Sequence, residues 1–201
     1  MKTFPGQTPS ITSINNFINF CALTLPNTAL TNGTQNTDGS CNATPIGLIP
    51  PSSKMPAAKF IVPPNGGTVA ANQNLTIQMN LANLEAGHFT NADTSYFAAP
   101  QTLNPQGIIV GHTHFVIEPL KSLGQTELTD PTHFLLFQGV NTAAVNGVVS
   151  LTVNKGVPAG FYRLCSINTA QNHQPVIVPI AQHGSLDDCV YRRRQFRPIR
   201  G

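Results

Sequence analysis

Seven consecutive residues, LTIQMNL at positions 75–81, alternate strictly between apolar and polar side chains. Successive side chains of a β-strand point to opposite faces, so this pattern indicates a strand with one buried and one solvated face. Other short apolar runs bounded by turn-forming residues predict strands near 59–62, 108–118, 133–137, 148–153, 160–167, 175–181 and 188–191. No strand–helix–strand alternation interrupts them. We therefore predict an all-β fold, an immunoglobulin-like β-sandwich.

The chain of 201 residues suits one domain with an appendage. Residues 1–55 are rich in Asn, Thr, Ser, Gly and Pro, and we predict that they form an extended N-terminal segment pinned by a disulfide. Residues 56–191 form the predicted sandwich, and residues 192–201 a basic C-terminal tail. Residues 82–106 are an unusually long connection for a compact domain, which makes them a candidate functional loop.

Cysteines and glycosylation sequons together indicate a secretory compartment. Four cysteines fall in two separated pairs, Cys21, Cys41, Cys165 and Cys189. Three pairings are possible, and the economical one joins the first to the second and the third to the fourth. Each bridge of this kind stabilises a fold by about 3 kcal/mol. Asn-x-Ser/Thr sequons begin at Asn32, Asn42 and Asn74. The charged fraction of 9%, against about a quarter in an average protein, also fits a turn-rich extracellular protein.

The two ends of the chain carry few functional signals. Residues 1–20 contain no apolar run of signal-peptide length, so we expect a removed signal or an altered gene model. No segment approaches the ~20 apolar residues of a membrane span, and we expect no span. The last ten residues hold Arg192, Arg193, Arg194, Arg197 and Arg200. Such a tail is more often a solvated terminus or a dibasic processing site than a nucleic-acid contact, so we do not expect nucleic acid as a partner.

The strand-like run GHTHFVIE at 111–118 carries two histidines two residues apart. Strand geometry places His112, His114 and Glu118 on one face, with Phe115 and Ile117 on the other. Paired imidazoles can chelate copper or zinc, because imidazole nitrogen suits these borderline ions. The same residues can equally well lie on a polar sheet face, hydrogen-bonded to neighbouring strands.

A metal site needs at least a third ligand. Glu118 lies roughly 13 Å from His112 along an extended chain, too far to share one ion. The candidates are His173, in the polar loop 167–175, and His183, in the loop 181–189. The second loop also holds Ser185 and Asp187, but a hydrolytic triad needs groups from separate elements and an oxyanion hole, and no GxSxG motif is present. We therefore predict turn chemistry there and no catalytic residues.

Several of these motifs together resemble a family of small secreted fungal proteins. They are GHTHFVIE at 111–118, PAGFYR at 158–163, INTAQNHQPV at 167–176 and AQHGSLDD at 181–188. Some members of that family carry a ribosomal-protein label that does not fit them. The resemblance implies secretion and a fungal source, and it supplies no catalytic residues.

We interpret the chain as a secreted, non-catalytic structural or interaction protein, extracellular or on the cell surface. Low charge and the exposed edges of a sandwich favour a homo-oligomer or filament, and a cell-wall or extracellular polymer is a further candidate partner. The alternative is a copper- or zinc-binding protein that uses His112 and His114, with His173 or His183 completing the site. A metal-dependent enzyme on the same histidines is the third interpretation.

Overall fold

The computed structural model describes residues 14–15, 17–24 and 27–195. Residues 1–13 of the predicted N-terminal segment, and Arg197 and Arg200 of the predicted tail, lie outside the described residues. The described chain is 38% strand and 4% helix, which confirms the all-β prediction. It contains a five-residue helix α1 (Phe20–Thr24), a 3-10 turn (Ser52–Lys54), and nine strands: β1 (Ala57–Val62), β2 (Thr68–Ala70), β3 (Leu75–Ala82), β4 (Leu84–Glu85), β5 (Ile109–Leu120), β6 (Leu136–Val140), β7 (Val148–Val153), β8 (Gly160–Ala170) and β9 (Cys189–Gln195).

The strands form two sheets. The smaller sheet has the order β1-β3-β7 and is antiparallel throughout. The larger sheet has the order β2-β9-β8-β5, and both β4 and β6 pair with the remaining edge of β5. β2 runs parallel to β9 and β4 parallel to β5, while the other pairs are antiparallel. The immunoglobulin-like arrangement of this pair of sheets stays a prediction.

Both sheets contribute side chains to one apolar core. In β3 the alternating pattern of the sequence appears as burial, because Ile77 and Met79 have no exposed surface. From the larger sheet, Phe115 lies fully buried on the face of β5 opposite the histidines. Its ring packs against Phe60 of β1, with ring centroids 5.2 Å apart. Burying a side chain of this size stabilises the fold by about 1.5–3 kcal/mol.

A hydrogen bond holds the start of β8, and a disulfide holds its middle. The Tyr162 hydroxyl donates to the Pro158 carbonyl at 3.0 Å, which ties the strand to the loop before it. Further along, a disulfide joins Cys165 to Cys189 of β9. The other two cysteines are also joined to each other, so the structure has the local pairing.

One predicted strand is absent. Residues 175–181 make only an isolated bridge, between Thr169 and Pro175. Pro175 and Pro179 lack the N–H that a sheet ladder requires, so the prediction of a strand there is wrong. The Ile177 N–H donates instead to the side chain of Gln101 at 2.9 Å.

The end of the described chain also differs from the prediction. β9 continues through Gln195 and pairs with both β8 and β2, so the predicted boundary at 191 falls inside a strand. Arg192 is only 3% exposed, and its guanidinium donates a hydrogen bond to the Pro64 carbonyl. Arg192 is therefore a residue of the sheet, because its backbone pairs with β8. Its side chain contacts the turn that follows β1.

Residues 27–51, here called the N-terminal strap, lie against the long connection 82–106. Backbone bridges link Gly33 to Tyr96 and Gly47 to Gln101. The amide of Gln101 is 1% exposed and donates to the carbonyls of Leu48 and Ile177. These contacts hold the long connection in place between the strap and the sheet. No helix among the described residues has both the length and the apolar character needed to span a membrane.

Candidate metal centre

Three histidines converge at one end of the larger sheet. His112 and His114 lie on one face of β5, where strand alternation places both side chains. His173 follows β8, the neighbour of β5, in a turn closed by a hydrogen bond from its N–H to the Ala170 carbonyl. One nitrogen from each ring lies within 4.8 Å of the other two. The structure thus completes the group with His173.

The backbone at His173 explains how its ring reaches the strand. Its φ angle is +73°, in the left-handed region that few residues other than glycine adopt. Such a conformation costs on the order of 1 kcal/mol and clusters at functional sites. Here it turns the imidazole back over β5, so that its ring centroid lies 4.7 Å from that of His112.

Two backbone carbonyls of the connection 82–106 fix the orientation of these rings. Nδ1 of His112 donates to the His88 carbonyl at 3.1 Å, and Nε2 of His173 donates to the Thr90 carbonyl at 2.7 Å. A carbonyl only accepts, so these bonds identify which nitrogen of each ring carries hydrogen. Metal-binding histidines characteristically donate their second ring N–H to such a group.

The nitrogens left over face each other. Nε2 of His112 and Nδ1 of His173 are 3.2 Å apart. When both rings are neutral and each hydrogen is donated to a carbonyl, the lone pairs of these two nitrogens face each other, and the Thr169 hydroxyl lies 3.3 Å from Nε2 of His112. A cation between or beside them, either a proton or a metal ion, relieves the repulsion. Two nitrogens bound to one tetrahedral ion at 2.0–2.1 Å lie about 3.3 Å apart, close to the observed separation.

His114 supplies the third nitrogen. Its Nδ1 is buried and has no hydrogen-bond partner among the described residues. Its ring stacks on that of His173, with centroids 5.7 Å apart. Ligands of one ion lie about 3.3–3.6 Å apart, so the widest nitrogen pair has to close by about 1 Å on binding.

Burial keeps two of the rings neutral. Desolvation lowers the pKa of His112 to about 3, helped by the nearby His114 and His173, although the hydrogen bond to the His88 carbonyl acts in the opposite direction. Desolvation and then His173 lower the pKa of His114 to about 4, against a hydrogen bond to the Ile167 backbone. Neutral imidazole is the form that binds metals, so these nitrogens stay available well below pH 6.5.

Aromatic side chains surround the cluster. Phe89 meets His112 edge to face with centroids 6.1 Å apart, and Phe137 lies 4.8 Å from His114. Tyr96 covers His173 at 5.9 Å. An ion held here would have three nitrogen ligands within an apolar wall.

The other residues proposed from sequence lie elsewhere. Glu118 is bound to Arg163 at 2.6 Å, away from the histidines. His183 is exposed, and its Nδ1 donates to the Gly184 carbonyl. Asp187 accepts hydrogen bonds from Ser166 and from the Asn168 backbone, and burial raises the pKa of its carboxyl group. These groups stabilise turns and strand ends, and no hydrolytic arrangement forms from them.

Sequence reasoning missed the part played by His88 and Thr90. They act through their main-chain carbonyls, which leave no side-chain signature. The only signal was the unusual length of the connection that holds them.

The asparagines of the three sequons, Asn32, Asn42 and Asn74, are all exposed.

Comparison with known proteins places this chain within a family. The family described as the CLU5d N-terminal domain matches residues 58–195. The chain is also similar to "Pathogenicity cluster 5 protein d" of Colletotrichum graminicola, with 43% identity over 186 residues. That alignment covers 92% of this chain and 38% of the relative, so the chain spans little more than a third of the length of the curated protein. No solved structure matches the chain.

Proposed function

This chain belongs to the CLU5d N-terminal domain family, and we propose that it is a secreted, non-catalytic domain that binds one copper or zinc ion through His112, His114 and His173. The observation that carries the proposal is the 3.2 Å separation of Nε2 of His112 and Nδ1 of His173, while the other nitrogen of each ring faces a backbone carbonyl. Each ring can therefore donate its hydrogen to a carbonyl and leave its remaining nitrogen to bind a metal ion.

Secretion is supported by two disulfides, which persist in oxidising compartments. The three exposed sequon asparagines support glycosylation in the same compartment. The similar protein of the fungus Colletotrichum graminicola is named for a pathogenicity cluster, which fits a secreted fungal protein. Loss of mass on enzymatic removal of N-glycans from the native protein tests the glycosylation.

Metal titration of the purified chain tests the binding proposal. We expect one equivalent of copper or zinc per chain, measured by calorimetry and by elemental analysis after dialysis. His114→Gln and His173→Asn each remove one nitrogen ligand and should lower affinity at least 100-fold. His183→Ala is the matched control, because this exposed histidine lies outside the cluster. Absence of uptake, or uptake that the cluster variants leave unchanged, would contradict the proposal.

A second candidate function is self-association or binding to an extracellular polymer. It rests on β6, whose outer edge has no strand partner among the described residues. Phe134, Leu135 and Phe137, in and before this strand, are each about half exposed, at 48%, 49% and 48%. An exposed apolar edge of this kind favours pairing with another chain.

Sedimentation velocity at rising concentration tests this second function. Self-association should weaken in Phe134→Ser and persist in Leu128→Ser, a control at an exposed apolar residue outside β6. Co-sedimentation with insoluble fungal or plant cell-wall polymers tests the polymer partner with the same two variants. A monomer at every concentration that binds none of the polymers would exclude this function.

A further inference from the structure

We propose that the histidine centre selects monovalent copper over zinc. The inference rests on the metal site proposed above and concerns which ion that site accepts. It follows from three properties of the cluster: the charge of its ligands, the burial of two of them, and their number.

The ligand set carries no negative charge. No carboxylate or thiolate joins the three histidines in the part of the chain that the structure describes. Two acidic side chains, on β5 and just before His88, are occupied elsewhere, because Glu118 binds Arg163 and Glu85 contacts His88 and Asn104. The three neutral rings therefore neutralise none of the charge of an ion that they bind.

Full charge is costly at this position. His112 is completely buried, His114 is 8% exposed and His173 is half-buried, so an ion among them loses much of its water. The cost of moving an ion from water into a low-dielectric interior rises with the square of its charge, so a divalent ion costs about four times as much as a monovalent ion of similar size. Structural zinc sites offset this cost with thiolates, and zinc sites of three histidines add a water whose pKa the metal lowers to about 7. Among the described residues no thiolate or carboxylate joins the three histidines.

The number of ligands points the same way. Zinc binds almost always with four ligands, so three histidines would leave it to recruit a water or an outside group. Monovalent copper is satisfied by three nitrogens in a plane. The rings of Phe89, Phe137 and Tyr96 lie beside the three histidines, and no fourth ligand from a His, Cys, Asp or Glu side chain joins them among the described residues. A low-charge, three-coordinate ion matches this ligand set.

The experiment compares the two ions on the full chain. Cu(I) affinity is measured anaerobically by competition with bicinchoninate, and Zn(II) affinity by competition with a chromogenic zinc chelator. We expect one equivalent of Cu(I), bound at least 100-fold more tightly than Zn(II). Zn(II) bound as tightly as Cu(I) would overturn the selectivity and leave the proposed metal-binding function intact. Binding of neither ion would overturn both.

A charge-introducing variant tests the physical cause. Thr169 lies opposite His112 on β8, is 2% exposed, and holds its hydroxyl 3.3 Å from Nε2 of His112. Thr169→Asp should add a carboxylate ligand and raise Zn(II) affinity at least tenfold relative to Cu(I). Thr169→Asn has nearly the same shape without the charge and should leave the ratio unchanged. An equal gain in both variants, or a gain in neither when both are folded, would contradict the charge argument. The wild-type comparison stands alone if a variant does not fold.

Discussion

Acidification of the metal-free protein should unfold it through His112 and His114. The pKa values of these rings are lowered to about 3 and about 4, whereas in the unfolded chain both return to their ordinary value of 6.5. Between pH 6.5 and these lower values, the two imidazoles bind protons in the unfolded chain and do not bind them in the folded chain. The stability contributed by the two neutral rings is therefore fully present above pH 6.5, and is lost as pH falls toward 4 and 3.

The size of the effect follows from the number of protons. Each histidine costs about 1.4 kcal/mol of folding free energy per pH unit below 6.5. At pH 5 the two rings together cost about 4 kcal/mol, an upper bound because the rings can relax toward water. Total stabilities of about 5–15 kcal/mol are usual, so this loss is a large fraction of the whole.

Urea unfolding at pH 7, 6 and 5 in the presence of EDTA measures the loss. The double variant His112→Asn, His114→Gln should show a pH slope smaller than that of the wild type by up to about 2.7 kcal/mol per unit. Carboxyl groups are common to both proteins, including Asp187, whose raised pKa acts in the opposite direction, so they cancel in the difference. Parallel slopes for the two proteins would refute the reasoning.

Three further predictions concern the fold. Phe115→Ala should lower the free energy of unfolding by about 3–5 kcal/mol in urea titration, because it empties a fully buried position between the sheets. Gln101→Leu should cost about 3 kcal/mol and speed hydrogen exchange at the Leu48 end of the strap, because buried carbonyls lose their donors. Replacing Cys165 and Cys189 together by alanine should cost about 3 kcal/mol, the loop-entropy value for a separation of 24 residues, measured by thermal unfolding.

Each of these has an outcome that would contradict it. A loss below 1 kcal/mol at position 115 would mean that the sheets close over the cavity. Unchanged exchange in the strap after the Gln101 substitution would show that the backbone bridges alone hold it. If the protein without the Cys165–Cys189 bridge melted at the wild-type temperature, the loop-entropy argument would be contradicted. The unfolded chain would then be restricted by residual structure even without the bridge.

Local pattern was sufficient for the strands that alternate or run long. β3 and β5 follow from periodicity, because the side chains of a strand report its two faces directly. The same rule places Phe115 on the buried face of β5 and places His112 and His114 together on the opposite face. The prediction of a strand at 175–181 was wrong because it followed the apolar composition of this segment. Its two prolines have no N–H to donate to a neighbouring strand.

The site needed information that a local pattern does not contain. Sequence left His173 and His183 as equal candidates, and the choice depends on the pairing of β8 with β5 and on one left-handed backbone conformation. The carbonyls of His88 and Thr90 are invisible to any argument from side-chain type. Strand order likewise depends on contacts between residues far apart in the chain, as with Thr68 of β2 beside Arg193 of β9.

The interior position of β9 has a consequence for biosynthesis. This strand, the last in the described chain, lies between β2 and β8, so β2 has no partner in the larger sheet until β9 has been synthesised through Gln195. At elongation rates of about 5–20 residues per second, β2 waits for several seconds with its pairing edge exposed. The larger sheet is completed only when β9 inserts between β2 and β8, so its assembly cannot finish before this late part of the chain is available.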